Sequence, residues 1–158
     1  MTSYELYPIG IICNDEEGTF LQLNHEYVPG LQALEGFSHI NVLWWFSDFD
    51  NKESRSYLVT NEPYQHAPKE MGIFATRSPI RPNPIALTAV EVLYIDYEKG
   101  IVRIAYIDAN DQTPILDIKP YTPSLDRVAS PEVPDWCKDW PKSLEESADF
   151  PWETVFNF

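Results

Sequence analysis

The sequence predicts an all-β, mainly antiparallel fold: a single β-barrel with short helical segments. Short runs of apolar or alternating residues recur along the chain and are separated by turns. Long helical patterns are few. Together these two observations favour a barrel or sandwich over a fold in which strands and helices alternate. The runs predicted as strands are 7–12, 19–23, 40–46, 72–76, 85–97, 101–107 and 115–118.

Two of these runs make the clearest hairpin. Residues 85–97 alternate two sets of side chains with the period of a strand. A Glu-Lys-Gly turn follows at 98–100, and residues 101–107 then return as a second strand. The run 40–46 is continuously apolar and bounded by polar residues, which predicts a strand buried on both faces.

The remaining segments predict short helices and a terminal extension. Residues 29–36 end in a glycine, and 135–148 have helical composition interrupted by Pro141. We expect a barrel domain at 1–125 and an acidic, aromatic C-terminal extension at 126–158. The extension is expected to pack on the barrel, because its aromatic side chains would otherwise form an exposed apolar patch. A contact between two subunits is the alternative role for its last ten residues.

Charge is distributed unevenly along the 158 residues, which carry 25 acidic and 11 basic side chains for a net charge of −14. Residues 63–125 are nearly neutral, with seven acidic and six basic side chains, whereas both flanking segments are strongly acidic. The overall field should repel a polyanion such as tRNA. Binding to one would need a local basic patch, which we expect in the middle segment.

Neither a disulfide nor a metal site is predicted. Cys13 and Cys137 lie far apart and form no CxxC motif, so we expect two free thiols. The three histidines lack metal-ligand spacing. There is no apolar run near 18 residues, and the N-terminus lacks the pattern of a signal peptide, so a cytoplasmic protein is expected.

A proline-rich loop is the least ordinary stretch of the sequence. Arg77 and Arg81 lie four residues apart, and three prolines follow within the six residues 79–84. Proline fixes its own φ and pushes the preceding residue to an extended conformation, so the loop should be stiff. A stiff polar loop loses little entropy on binding a ligand. A rigid connection whose arginines pair with nearby acids is the alternative.

A second polar group follows in the last predicted strand. Asp117 and Lys119 are two residues apart and should project from one face, and Tyr121 follows directly after a proline. An acid, an amine and a phenol close together can handle protons. The alternative is a surface ion pair beside a packed tyrosine.

Five blocks of this chain, in order, together resemble the TsaA/TrmO family. They cover roughly residues 7–122, which makes the resemblance far more specific than any one block. The blocks are PIGII at 8–12, GFSHI at 36–40, FATRSP at 74–79, RPNPI at 81–85 and LDIKPY at 116–121.

The resemblance implies an antiparallel barrel that forms a homodimer and binds S-adenosyl-L-methionine. It further implies a methyltransferase that modifies N6 of threonylcarbamoyladenosine at position 37 of tRNA. The donor-binding residues implied are Ser47, Asp48, Arg77, Leu87, Tyr106, Ile107 and Asp108. The implied catalytic residues are Asp117, Lys119 and Tyr121, with Arg81 and Asn83 shaping the pocket.

The implied roles are specific. Arg77 would pair with the donor carboxylate or with RNA phosphate. Asp117 would accept a proton from the acceptor amine or orient it, and Lys119 would hold an anionic group of the substrate.

The sequence also departs from the family pattern. Residues 12–18 are short and acidic where family members carry a longer loop with arginine, and Ala86 and Gln112 replace glycines. We expect a short form without the C-terminal domain of longer members, because residues 126–158 are too few and too acidic for such a domain. Three readings therefore stay open beside tRNA methylation: methylation of a small molecule or protein, a non-catalytic donor-binding barrel, and a sugar-binding surface built from the five tryptophans.

Overall fold

The computed structural model describes residues 2–158 and divides them into two compact units. The first, here called the barrel unit, extends to Asp50 and includes Pro84–Arg127. The second unit consists of Asn51–Asn83 and Val128–Phe158. The chain therefore leaves the barrel unit once, returns at Pro84, and leaves it again after Arg127.

The barrel unit is a closed antiparallel barrel, which confirms the predicted fold class. Its strands follow each other around the barrel in the order β1-β2-β7-β6-β3-β8, and β8 closes it by pairing with β1. These strands are β1 (Gly10–Asp15), β2 (Gly18–Leu23), β3 (His39–Trp45), β6 (Ile85–Asp96), β7 (Ile101–Ile104) and β8 (Thr113–Pro120). Its one α-helix among the described residues is the short α2 (Pro123–Asp126).

Alternating burial along each strand builds the barrel core. In β3, Ile40, Val42 and Trp44 are buried, while the residues between them are only partly covered. This pattern corrects the expectation that the run is buried on both faces. The outward face of β3 is instead partly open, and it presents two polar side chains, His39 and Asn41, followed by the apolar Leu43 and Trp45. The buried core consists of Ile12, Leu21, Leu23, Leu31, Ile40, Val42, Trp44, Ala86, Val90, Val102, Ile104, Ile107 and Ile115.

The second unit contains a small two-stranded sheet and two short α-helices. The strands are β4 (Val59–Asn61) and β5 (Glu70–Gly72), and the helices are α1 (Lys52–Ser56) and α3 (Leu144–Ala148). Asn51 caps α1 by accepting a hydrogen bond from the Ser54 amide at 2.9 Å. The predicted break in the C-terminal helical segment is confirmed, since a 3₁₀ turn at Asp135–Cys137 precedes the separate helix α3.

Aromatic rings pack together in this unit. Tyr64 stacks on Trp136 with ring centroids 5.4 Å apart, and Trp152 stacks on Phe156 at 5.6 Å. Trp140 lies edge-on to both tryptophans. The aromatic residues of the C-terminal segment thus pack against residues of the 51–83 segment. Packing of this segment on the barrel stays a prediction.

Two local predictions are wrong. The strand predicted at 72–76 ends at Gly72, and Ile73–Ala75 form a 3₁₀ turn whose buried member is Ile73. The helix predicted at 29–36 lies earlier, as a 3₁₀ helix at His25–Leu31. Ala33 beyond it has a φ of 65°, which an α-helix does not allow. Within residues 2–158, no helix is both long and apolar enough to cross a membrane.

A buried arginine fastens the β1–β2 hairpin to β7. The Arg103 side chain is only 7% exposed, and it forms a two-pronged ion pair with Asp15, with nitrogen–oxygen distances of 2.7 and 2.9 Å. Its guanidinium also lies 4.8 Å from the ring centre of Phe20. The hydrogen bonds from Arg103 hold the pKa of Asp15 below its ordinary value.

We expect this ion pair to make the free energy of unfolding depend on pH in the acidic range. Because the folded pKa of Asp15 is depressed, its contribution is fully present above about pH 4, the unfolded value, and disappears as pH falls through the folded pKa. Urea unfolding between pH 2 and about pH 6 gives the free energy of unfolding at each pH. This free energy should decrease less steeply with falling pH for Asp15→Asn than for the unaltered chain. Equal slopes in the two proteins would contradict a stabilising role for the pair.

Candidate functional site

Strand β8 carries two of the predicted catalytic side chains on its outward face. The Lys119 Nζ lies 2.7 Å from Asp117 Oδ2. The other carboxylate oxygen of Asp117 accepts a hydrogen bond from the Ile118 amide at 2.9 Å. The Asp117 side chain is 47% exposed and the Lys119 side chain is 62% exposed, so both remain accessible to a ligand. The hydrogen bond to Asp117 raises the pKa of Lys119, which stays protonated at neutral pH.

The strand register brings Leu87 close to this pair. Leu43 on β3 is directly paired with Leu87 on one side and with Asp117 on the other. Directly paired residues point to the same face of a sheet, so an apolar surface from Leu43 and Leu87 borders the carboxylate. The register shifts between Leu43 and Trp44, a bulge of the kind that re-aims side chains near functional sites.

Tyr121 lies just beyond the end of β8. Its amide donates to the His39 carbonyl at 3.0 Å, and its ring lies edge-on to the His39 ring with centroids 6.4 Å apart. Asn41, the next outward residue of β3, is paired with Lys119 and donates to Asp126 Oδ1 at 3.0 Å. The outward face of β3 thus lies beside each of the three predicted catalytic residues.

A second polar group forms where β3 and β7 end. Ser47 and Asp48 lie in a 3₁₀ turn directly after β3, and both are exposed. Asp48 Oδ2 accepts a hydrogen bond from Asn110 at 2.8 Å. Tyr106 is 68% exposed and Asp108 is exposed.

Ile107, between those two residues, belongs to the buried core instead. Its side chain therefore does not face solvent, and any contact it makes with a ligand would come from its main chain.

Asn110 and Asn41 were not predicted from the sequence. Asn110 is separated from Asp48 by 62 residues, so only the closed barrel brings them together. The polar run Asp108–Gln112 after a predicted strand was the available signal for Asn110. Asn41 interrupts an apolar strand, which was the corresponding signal there.

The short acidic stretch near the N-terminus is a tight hairpin turn. It joins β1 to β2 through Gly18, whose φ of 116° suits glycine. Its Asp15 and Glu17 both pair with Arg103. Two of the three acids that replace the longer family loop therefore hold this hairpin to β7. Gln112 has a φ of 67°, which explains why glycine is favoured at that position.

The proline-rich loop up to Asn83 belongs to the second unit, and hydrogen bonds from two arginines to its carbonyls hold its shape. The Arg81 guanidinium donates to the carbonyls of Thr76 at 3.3 Å and Ser78 at 3.1 Å. Arg55 on α1 donates to the Pro82 carbonyl at 2.9 Å. Arg81 thus holds the shape of the loop, which is compatible with its predicted pocket-shaping role.

Arg77 and Asn83 are both exposed in this loop. Burial raises the pKa of Tyr64, and a hydrogen bond with the Arg77 main chain opposes that rise. The Arg77 backbone is thereby tied to the aromatic cluster. Donor binding by Arg77 and pocket shaping by Asn83 stay predictions.

The barrel residues fit the chemistry of S-adenosyl-L-methionine. This donor presents an ammonium, a sulfonium and a carboxylate, which together give a net positive charge, and also hydroxyls and an adenine ring. Carboxylates at Asp48 and Asp108 can accept from hydroxyls and an ammonium, and the exposed ring of Tyr106 can stack on a base. The barrel unit carries 15 acidic and four basic side chains, which suits a ligand with net positive charge.

Other reactive groups show no sign of a site. Cys13 and Cys137 are free thiols, and burial raises the pKa of both. Among the described residues, no three His, Cys, Asp or Glu side chains are grouped closely enough to hold a metal ion.

Comparison with known proteins identifies relatives of this chain. A probable S-adenosyl-L-methionine-binding protein from Methanocaldococcus jannaschii is 40% identical over 123 residues, which cover 78% of this chain and 96% of that protein. Another from Pyrococcus abyssi is 38% identical over 135 residues, or 85% of this chain and 68% of its own length.

A crystal structure of TrmO from Pseudomonas aeruginosa superimposes with a TM-score of 0.62 and 29% identity. The match covers 83% of this chain and 62% of that one, so the chain spans less than two thirds of the solved protein. The family model described as the tRNA-methyltransferase O N-terminal domain matches residues 4–127. The chain belongs to the family of the tRNA-methyltransferase O N-terminal domain.

Proposed function

We propose that this chain binds S-adenosyl-L-methionine and transfers its methyl group to N6 of threonylcarbamoyladenosine at position 37 of tRNA, as a cytoplasmic homodimer. The observation that carries the proposal is the Asp117–Lys119 pair on the outward face of β8, within a barrel that matches the family. Relatives named as binding proteins for the same donor support the choice of cofactor.

The donor would be held at the end of strands β3 and β7. Asp48, oriented by Asn110, would accept hydrogen bonds from ribose hydroxyls. Tyr106 would stack on the adenine ring, and the apolar surface of Leu87 would exclude water from the reacting centre. When bound, the donor supplies a methyl group that is already activated by its positively charged sulfur.

The chain's own residues then need to align the acceptor nitrogen and take its proton. Asp117 is the candidate proton acceptor, because one of its oxygens is fixed by the Ile118 amide and the other faces Lys119. As the nitrogen–methyl bond formed, the sulfur–methyl bond of the donor would break and leave a neutral thioether, and the proton of the nitrogen would pass to the Asp117 carboxylate.

The Lys119 ammonium would hold the carboxylate of the threonyl group. A lysine ammonium is cationic at neutral pH, and the hydrogen bond with Asp117 raises the pKa of Lys119 further. Most of the rate enhancement would come from alignment, since the methyl group needs no further activation.

Donor binding can be tested apart from catalysis by calorimetry with S-adenosyl-L-methionine. We expect Asp48→Asn to weaken binding about tenfold, because the substitution removes a charged hydrogen-bond acceptor while its oxygen can still accept from Asn110. Asp139→Asn, at an exposed carboxylate of the second unit, is the matched control and should bind as the unaltered chain does. Undetectable binding by the unaltered chain would reject the proposed cofactor.

A further inference from the structure

Basic charge is concentrated in one segment of the second unit. Residues 51–83 carry five basic and three acidic side chains. Every other segment is acidic: residues 1–50 carry eight acids and no lysine or arginine, and residues 128–158 carry seven acids and two bases. A polyanion approaching this chain would therefore meet its least repulsive surface on residues 51–83.

Exposed apolar side chains lie on this same segment. Tyr57, Leu58 and Val59 are each at least 41% exposed, and Phe74 is 77% exposed. The Ile73 amide donates to the Leu58 carbonyl at 2.9 Å, which brings Phe74 next to that run. Consecutive exposed apolar residues in a small unit indicate an interaction surface.

Basic side chains lie in the same segment of the chain as these apolar residues. Arg55 follows Lys52 on helix α1 and reaches the carbonyl of Pro82, so α1 packs against the proline-rich loop. That loop begins directly after Phe74 and carries the exposed Arg77. An exposed aromatic ring thus lies in the same segment as exposed arginine and lysine side chains, which is the combination that binds unstacked bases and their phosphates.

We propose that residues 52–59 and 74–77, here called the basic-aromatic face, dock a single-stranded RNA loop. Phe74 stacks on a base, and the surrounding cations contact phosphates. A loop fits better than a duplex, because an aromatic ring can stack only on a base that is splayed out. The choice of RNA rests on the proposed function.

The test is binding of a fluorescently labelled anticodon stem–loop RNA to the full chain, followed by anisotropy at several salt concentrations. We expect Phe74→Ala to weaken binding about tenfold through lost stacking. Phe158→Ala is the matched control, since that ring is 92% exposed in the acidic segment of the same unit, and it should change nothing. Lys52→Gln should make the slope of the logarithm of the binding constant against the logarithm of salt concentration less steep by about one, which corresponds to one lost phosphate contact. Lys138→Gln should leave this slope unchanged.

The outcomes separate this proposal from the proposed function. If Phe74→Ala binds RNA as the unaltered chain does, the basic-aromatic face is rejected, whether or not the chain binds S-adenosyl-L-methionine in calorimetry. If RNA binding is unchanged but the mass in solution falls to a monomer, the face contacts a second copy of the chain and the proposal is wrong. Normal donor binding by Phe74→Ala together with weaker RNA binding would support it.

Discussion

Replacing Asp117 with asparagine is expected to lower kcat for methyl transfer by about 100- to 10,000-fold, the usual contribution of a positioned proton acceptor. Asparagine has nearly the same shape, and its oxygen can still accept from the Ile118 amide. It cannot take a proton, however. Because the donor would bind at the strand ends through other residues, its affinity should change little. Rates from single turnovers with saturating donor, measured beside calorimetry, give both quantities.

The companion variants make this result specific. Glu91→Gln removes an exposed carboxylate on β6 at a position paired with His39, and it should leave the rate unchanged. Lys119→Ala should mainly raise the KM for the acceptor, because its ammonium is proposed to bind rather than to react. A normal kcat for Asp117→Asn would remove the proton-acceptor role.

Truncating Ile12 to alanine is expected to lower the free energy of unfolding by about 2 to 5 kcal/mol. Ile12 has no exposed surface and lies where the barrel closes, paired with Leu21 on β2 and Thr113 on β8. The closed barrel leaves little room for the neighbours to collapse into the cavity. Urea unfolding of the two proteins measures the difference.

Ile11→Ala is the matched control for that prediction. It makes the same chemical change one residue away, but its side chain points to the opposite face of β1 and is partly exposed. We expect a clearly smaller loss of stability. Equal losses for the two variants would mean that β1 does not bury one face in the barrel core.

The sequence carried enough information for the barrel strands with strong local patterns. The 85–107 hairpin was recognisable because a period of two and a glycine-containing turn are both local signals. The break at Pro141 was predictable for the same reason. Proline removes a hydrogen-bond donor wherever it lies in a helix.

Features that depend on distant parts of the chain could not be predicted. β4 and β5 are three residues each and were not recognised as a pair, because strands of that length show no clear period. The contact between Asp48 and Asn110 depends on the register of the barrel. Ile73–Ala75 form a turn in which Ile73 is buried. A short apolar run of this kind cannot be distinguished from a strand by its sequence pattern.

The partners of the acidic residues near the N-terminus were likewise not predictable from the sequence. The acidic stretch at 15–17 looked like a defect in the family pattern, yet two of its acids are the partners of Arg103. Conversely, the spacing of Asp117 and Lys119 correctly placed them on one face, since alternation along a strand is a local property.

Methyl transfer to tRNA can be measured on one defined substrate. Purified tRNA containing threonylcarbamoyladenosine at position 37 would be incubated with the full chain and S-adenosyl-L-methionine, then digested and analysed by mass spectrometry. We expect one added methyl group on that nucleoside, and a strongly reduced yield with Asp117→Asn. An unmodified nucleoside from a chain that binds both donor and tRNA would contradict it.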